Sequence, residues 1–256
     1  MSKHQLSIAY QLSFQSDWHV GSGYGSMMVD RHARRRRDRV TGQQIPYVPG
    51  SQIKGLLREA CEQRVATMGG EGSQVAEVHG GDSDANENLV RAFVPSTISE
   101  LIVDRLFGTR YAGECLYCSN SQAETEQRLR STAISRNSID RATGTAAAQK
   151  LFSTEVVPSQ TCIFAGEIEG RHAERELTLS DHGFPYEYAI LVAALRCLDS
   201  VGGDRNVGRG AVEVKITEIR WWPAGGKDWQ SVDLAKAFQP LEEDETCDMI
   251  QMIREG

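Results

Sequence analysis

The nine residues Gly202-Gly-Asp-Arg-Asn-Val-Gly-Arg-Gly210 combine two kinds of chemistry that a nucleic-acid strand needs. Glycines at 202, Gly203, Gly208 and Gly210 let a backbone come close to an extended polyanion. Arg205 and Arg209, with Asn206 between them, can then contact phosphates or stack on bases. A second element is Pro49-Gly50-Ser51, followed by Lys54 and Arg58. Ser51 is the expected N-cap of a helix whose unpaired N–H groups and positive dipole end favour an anion, with the two basic residues one and two turns inside. The spacing is not that of a nucleotide-binding P-loop. The third element is Arg34-Arg35-Arg36-Arg37, inside a stretch from Arg31 to Arg39 that holds six arginines and one histidine. Each has a plainer reading, as a flexible turn, a capped helix with solvated basic residues, or a solvated arm. Three phosphate-seeking elements in one chain together point to a sugar–phosphate strand.

Two further groups have candidate chemistry. His19 is a candidate general base by residue type, but a single histidine without a visible partner fits a structural or strand-contacting role better. Cys115-Leu-Tyr-Cys118 has the spacing of a zinc knuckle. A four-ligand site would need Cys61 and His79; the alternative is a pair of buried thiols.

The elements that must position these groups read as follows. Residues 5–15 alternate apolar and polar and form a strand, followed by a Gly-Ser-rich loop from His19 to Ser26. A helix runs on from Ser51 with Ile53, Leu56, Leu57 and Ala60 on one face. Residues 66–88 are acidic, glycine-rich and poor in large apolar side chains, an insertion outside the core. Residues 96–107 make a short helix and 111–118 a strand or knuckle. Residues 131–157 read as strand, polar turn, strand, an extended hairpin with Arg141 to Thr145 at its tip. A strand at 161–169, an apolar helix from Phe184 to Cys197 and a strand from Ala211 to Trp221 complete the pattern. The order fits a single α+β domain over 1–256 of ferredoxin-like, split βαβ type, with a C-terminal tail at about 223–256.

Net charge is −7, which alone argues against nucleic acid, but acids crowd Glu71 to Glu87 and Glu242 to Glu245 while arginines crowd 31–39. The longest apolar stretch, Tyr188 to Cys197, is too short to span a bilayer. The chain reads as a cytoplasmic protein with no membrane partner and with its six cysteines reduced.

The pairing of His19-Val-Gly-Ser-Gly23 with Pro46-Tyr-Val-Pro-Gly-Ser-Gln-Ile-Lys-Gly55 and the late Gly203 to Gly210 loop resembles the RAMP superfamily of CRISPR proteins. Asn137-Ser-Ile-Asp-Arg-Ala-Thr-Gly-Thr-Ala146 and Leu151-Phe-Ser-Thr-Glu-Val-Val-Pro158 resemble the repeated backbone subunit of type III effector complexes. The resemblance covers most of residues 5–216.

It implies a modified RNA-recognition fold stacked with copies or paralogues along a guide RNA, in a complex with the remaining type III subunits and a target RNA. His19, Ser22, the arginines 34–37, Gly50, Ser51, Lys54, Arg58 and the Gly203–Gly210 loop would hold RNA. A thumb carrying Asn137, Asp140, Arg141 and Thr143 would wedge into the guide–target duplex. Members that cut RNA place an aspartate before the Pro-Gly-Ser helix, and Asp30 stands there, with Asp38 as the fallback. Its carboxylate would hold Mg2+ or another divalent cation while a 2′-OH attacks the neighbouring phosphate. The alternative is a structural guide-binding subunit without catalysis; a guide-processing nuclease of the same superfamily is a third reading.

Overall fold

In chain order the strands are β1 (His4–Phe14), β2 (Arg35–Arg37), β3 (Gln44–Pro46), β4 (Leu116–Cys118), β5 (Gln122–Ala123), β6 (Thr132–Ile139), β7 (Ala146–Val156), β8 (Ile163–His172), β9 (Val212–Trp222) and β10 (Gln230–Ser231). The helices are α1 (Gly50–Met68), α2 (Tyr186–Arg196) and α3 (Leu234–Glu242). The computed structural model describes residues 4–39, 42–68, 103, 106–108, 114–124, 129–159, 162–172, 177 and 184–242. Most of the insertion at 66–88 and of the helix expected at 96–107, together with His79 and residues 243–256, lies outside them.

Leu6, Ile8, Tyr10, Leu12 and Phe14 of β1 are all buried, as a period of two requires when one face of a strand meets the helices. β1 is the centre of the sheet, antiparallel to β8 on one side and β9 on the other, and Ile8 stands in one row with Ile168 and Ile219. The order β10-β9-β1-β8-β4, with β5 also on β8, is the antiparallel arrangement of a ferredoxin-like α+β fold. On α1, Ile53, Leu57, Cys61 and Val65 recur every four residues and are buried, so this stripe faces the core. Every residue of α2 from Glu187 to Leu195 is buried, which fits its apolar composition and its place between α1 and α3.

β6 and β7 pair with each other as the hairpin expected over 131–157, in a two-stranded sheet separate from the central one. One feature differs from the sequence reading. The segment after Trp222 is not all tail: β10 pairs with β9, and α3 packs on α2 with Ala237, Phe238 and Leu241 buried. Leu234, Ala237, Phe238 and Leu241 recur at i, i+3, i+4 and i+7, so the apolar face of α3 is written in the sequence although the segment as a whole is polar and acidic.

Phe238→Ala, which removes a buried ring from that contact, is expected to cost about 3 kcal/mol of unfolding free energy. A urea titration that left the midpoint unchanged would place α3 outside the cooperative core.

Candidate nucleic-acid interface

The base of the β6–β7 hairpin is where the separate elements meet. Residues 30–33 run beside β7: Asp30 and Arg31 donate their N–H groups to the Ser153 carbonyl at 3.1 Å, and Glu155 N–H donates to the Arg31 carbonyl at 2.8 Å. The Glu155 carboxylate then receives the Ala33 N–H at 2.9 Å and His32 Nδ1 at 3.1 Å on one oxygen, and Arg35 and the Ser131 hydroxyl on the other. Burial alone would push this carboxyl up, but the hydrogen bonds from Ser131, Ala33 and His32 and the charge of Arg35 outweigh it and hold it down to about 2.

Asp30 sits two residues along. Its Oδ2 accepts the Ser153 N–H at 2.6 Å and lies 3.0 Å from the Ser153 hydroxyl. The Ser153 N–H first, then the hydroxyl, hold its carboxyl below the usual range, so it is an anion although exposed. A single exposed, ionised carboxylate is a hard oxygen donor of the kind magnesium takes one or two of, the rest coming from water and phosphate. The residue therefore fits a divalent cation. Asp38, the fallback, is placed in the turn that joins β2 to β3, where its carbonyl accepts the Gly42 N–H.

A second carboxylate gathers three arginines from three segments. Asp204 in the glycine loop lies 3.6 Å from Arg31, 3.3 Å from Arg136 on β6 and 3.2 Å from Arg209. Its backbone is left-handed, with φ of 61°. Three guanidinium charges against one carboxylate leave positive charge in excess at the junction of the Asp30 loop, the hairpin and the glycine loop.

The glycine loop fits closely onto the segment that follows β1. Gly203 N–H donates to the His19 carbonyl and Gly210 N–H to the Asp17 carbonyl, at 2.8 and 2.9 Å. A Cβ on Gly202 would sit 2.5 Å from the His19 carbonyl oxygen, and one on Gly210 would sit 2.1 Å from that of Val201, both at positive φ. His19 is itself buried, with Nδ1 2.6 Å from the Glu155 carbonyl, so the ring braces the loop against the hairpin. It is positioned as a structural residue beneath the surface rather than as a phosphate contact. Ser22 is half-buried and holds Tyr24 through its hydroxyl; Asn206 and Gly208 are exposed on the loop's outer turn.

The start of α1 joins the same region. Arg34 N–H donates to the Val20 carbonyl, Tyr47 N–H to the Arg34 carbonyl, and Arg34 Nε to the Tyr47 hydroxyl at 3.0 Å. On the other side Arg205 of the glycine loop lies 3.9 Å from Glu59 of α1. The glycine loop thus meets α1 at Glu59, nine residues beyond the helix start. Ser51 is not the N-cap: α1 begins at Gly50, whose N–H is capped by Asn120 Oδ1 at 2.9 Å. A Cβ on Gly50 would lie 1.9 Å from the Cys118 carbonyl oxygen, so only glycine lets the helix start against β4. Ser51 remains exposed. Lys54 is turned to the protein, on Glu114 and, at 3.0 Å, on the Leu116 carbonyl; Arg58 bonds Glu62 and packs over Phe107. Among the four arginines, Arg35 is consumed by Glu155, whereas Arg34, Arg36 and Arg37 are exposed on the β2–β3 ribbon.

At the far end of the hairpin the turn is closed by Asp140, whose Oδ1 accepts the Ala142 and Thr143 N–H groups at 2.8 and 3.2 Å. Asn137, Arg141 and Thr143 are exposed there, as are the apolar Ile139 and Leu151. Cys118 lies on the sheet strand 116–118, paired with β8, and burial pushes its thiol up to about 12 and that of Cys61 higher. Among the described residues no three His, Cys, Asp or Glu side chains gather as a metal set. His79, the fourth member of the expected zinc site, lies outside them.

Arg31, Arg136, Asn120, Ser153, Glu155 and Asp204 make the contacts that assemble this region, and local reading assigns none of them a role. The signal for two of them is in the sequence: Ser153 and Glu155 alternate on one face of a strand that reads as half of a hairpin.

An antiparallel α+β fold of ferredoxin-like type, with an arginine-bearing junction at the base of a separate hairpin, is the class of protein that this structure defines. Residues 11–213 match the family model of the RAMP superfamily, and the chain belongs to that superfamily of CRISPR-associated RNA-binding proteins. No curated protein sequence matches it. No helix among the described residues is long and apolar enough to cross a membrane.

Glu155 links this site to pH. Its folded pKa is depressed, so its contribution is complete above the unfolded value of 4.5 and fades as pH falls toward about 2. That shift corresponds to roughly 3 kcal/mol. Glu155→Gln is expected to lower stability at neutral pH and to flatten the acid limb of the urea midpoint against pH between those two values; an unchanged limb would move the titration elsewhere.

Proposed function

We propose that this protein is a backbone subunit of a type III CRISPR effector complex that holds guide RNA and cuts the paired target RNA at Asp30. The observation that carries the reading is the position of Asp30: an ionised, exposed carboxylate fixed by Ser153 at the hairpin base, beside the Asp204 arginine cluster. Family membership supports the RNA, and the Asn137–Ala146 and Leu151–Pro158 motifs support the type III subunit.

In this reading the strand's phosphates follow the excess positive charge of Arg31, Arg136 and Arg209 and the exposed arginines of β2. Asp204 keeps the three guanidiniums oriented before RNA arrives, which lowers the ordering cost of binding. The hairpin interrupts the duplex and leaves one phosphodiester out of helical geometry. Cleavage then needs no protein nucleophile: the 2′-oxygen bonds to phosphorus as the P–O5′ bond breaks, giving a 2′,3′-cyclic phosphate and a 5′-hydroxyl. Asp30 would hold a divalent cation, which supplies charge stabilisation at the phosphate. Ser153 holds the carboxylate's orientation and keeps it ionised.

Asp30→Ala in the assembled complex is expected to leave target binding intact and to reduce cleavage at the sites of this subunit roughly 100-fold or more. Cut mapping on a guide-matched RNA reads this directly. Unchanged cuts would leave a structural guide-binding subunit. Arg136→Gln and Arg209→Gln are each expected to make the salt dependence of RNA affinity shallower, by about 0.7 in log–log slope for a single strand. If neither slope changed, the Asp204 cluster would not be a phosphate contact.

A further inference from the structure

The two edges of the central sheet are finished differently. At the β4–β5 edge the segment before α1 closes the sheet: Val48 and Ser121 exchange N–H bonds at 3.1 and 2.8 Å, and Lys54 Nζ reaches the Leu116 carbonyl at 3.0 Å. At the opposite edge β9 is covered only near its two ends. The Val212 N–H donates to the Asp199 carbonyl at 2.8 Å, and just past β10 the Val232 N–H donates to the Ile219 carbonyl at 2.9 Å. Between these two bonds residues 213–218 form an open window.

Alternation decides what the window presents. The Gln15 N–H donates to the Ala211 carbonyl, so odd-numbered residues at this end of β9 turn their peptide groups to β1, and even-numbered ones turn them outward, as Val212 does. The N–H and C=O groups of Val214 and Ile216 therefore point away from the sheet, and among the described residues nothing pairs with them there. Their side chains stand in the same rows as the buried Leu12 and Tyr10 but are only half-buried themselves. On the other face Glu213 and Lys215 stand beside Ser13 and Gln11 and are exposed. Thr217 is the extra residue of a bulge, because Tyr10 faces Ile216 whereas Ala9 faces Glu218.

Four unpaired peptide groups beside two half-covered apolar side chains are what an added strand would complete. The side chains fix its composition. Opposite Val214 and Ile216 it needs apolar residues, which then lie on the helix side of the sheet. Opposite Lys215 it needs a carboxylate, with cations toward Glu213 and toward Glu218, which Arg220 approaches only to 3.5 Å. A second copy of this chain does not meet that pattern, because the two-fold register that pairs Val214 with Ile216 sets the two Lys215 side chains against each other. A lysine and a bulge are also the devices that discourage self-pairing of an edge.

We propose that residues 213–218 of β9 are a docking edge for an extended segment of a partner protein whose side chains run basic, apolar, acidic, apolar, basic.

The test titrates the full chain, followed by amide NMR, with the peptide Lys-Val-Glu-Val-Lys and with its counterpart that has lysine at the centre. The first peptide is expected to shift the Val214 and Ile216 N–H signals and to slow their hydrogen exchange. Lys215→Glu, an exposed change, is expected to weaken the first peptide about fivefold relative to the second. Unshifted Val214 and Ile216 signals at millimolar peptide overturn the docking edge, as does an equal effect of Lys215→Glu on both peptides. Protection of the two amides in the chain alone also overturns it. Sedimentation then tells whether a second copy or another part of the same chain fills the window.

Discussion

The Glu155 carboxylate is the constraint on which the site depends. A two-stranded hairpin standing apart from the main sheet is marginal in water by itself, and the loop from Trp18 to Arg35 has little regular structure of its own. Glu155 ties them together with a main-chain N–H, a histidine, an arginine and a hydroxyl on one half-buried carboxylate. Charge-assisted bonds of this kind are stronger than neutral ones, and losing any partner would leave a desolvated charge. Asp30 takes its position from this docking, since Ser153 lies on the same strand face two residues before Glu155. His19 adds a bond from beneath, to the Glu155 carbonyl rather than its side chain.

Net charge of −7 and an RNA-binding surface are compatible because the charges are partitioned. The sheet face turned away from the helices carries Glu124, Glu167, Glu169 and Glu218, with Ser7 and Arg220 bonded among them. A groove of about 490 Å³ on that face is lined by Ser7, Glu167, Glu169, Arg171, Arg220 and Trp229, among others. Arg171 and Arg220 on this face are paired with Glu169, Glu167 and Glu218, which leaves it no excess of positive charge for a polyanion. The arginines collect at the opposite end of the logic, on loops and the hairpin, where Asp204 and Glu155 hold them in place. Acid residues inside a basic site act here as organisers: Asp204 fixes three guanidiniums whose summed charge exceeds its own, and Glu155 fixes that of Arg35.

The fold was legible in the sequence wherever periodicity reports burial. β1, α1, α2 and β9 announce themselves by alternation or by apolar stripes, and the hairpin by a polar turn between two strands. The glycine loop stood out for its glycines, read as room for a polyanion, whereas Gly202 and Gly210 are required by the carbonyls of His19 and Val201 within the fold. What local reading could not reach are partners that arrive from far along the chain. Ser51 resembles an N-cap, but Asn120 caps the helix from the turn between β4 and β5. Lys54 and Arg58 resemble phosphate ligands, but β4 and Glu62 hold them. Cys115 and Cys118 have knuckle spacing, yet pairing with β8 draws the segment into the sheet. In each case a long-range contact decided the role of a residue whose type alone was ambiguous.

The hairpin is therefore two objects joined end to end. Its base is fixed by Glu155, Ser153 and Arg136, all of which reach into neighbouring segments. Beyond Asn137 the register breaks: Asn137 faces Leu151 and Ile139 faces Ala146, so residues 147–150 oppose Ser138 alone. Such a bulge bends a strand and increases its twist, and Gln149 takes the left-handed conformation within it. The outer part keeps only its own turn, closed by Asp140, and exposes Ile139 and Leu151. An element that is rigid where it meets the candidate carboxylate and apolar where it meets solvent is built to transmit a position from one to the other. Whatever covers Leu151 is thereby placed at a defined offset from Asp30, because Ser153 links the two along a single strand.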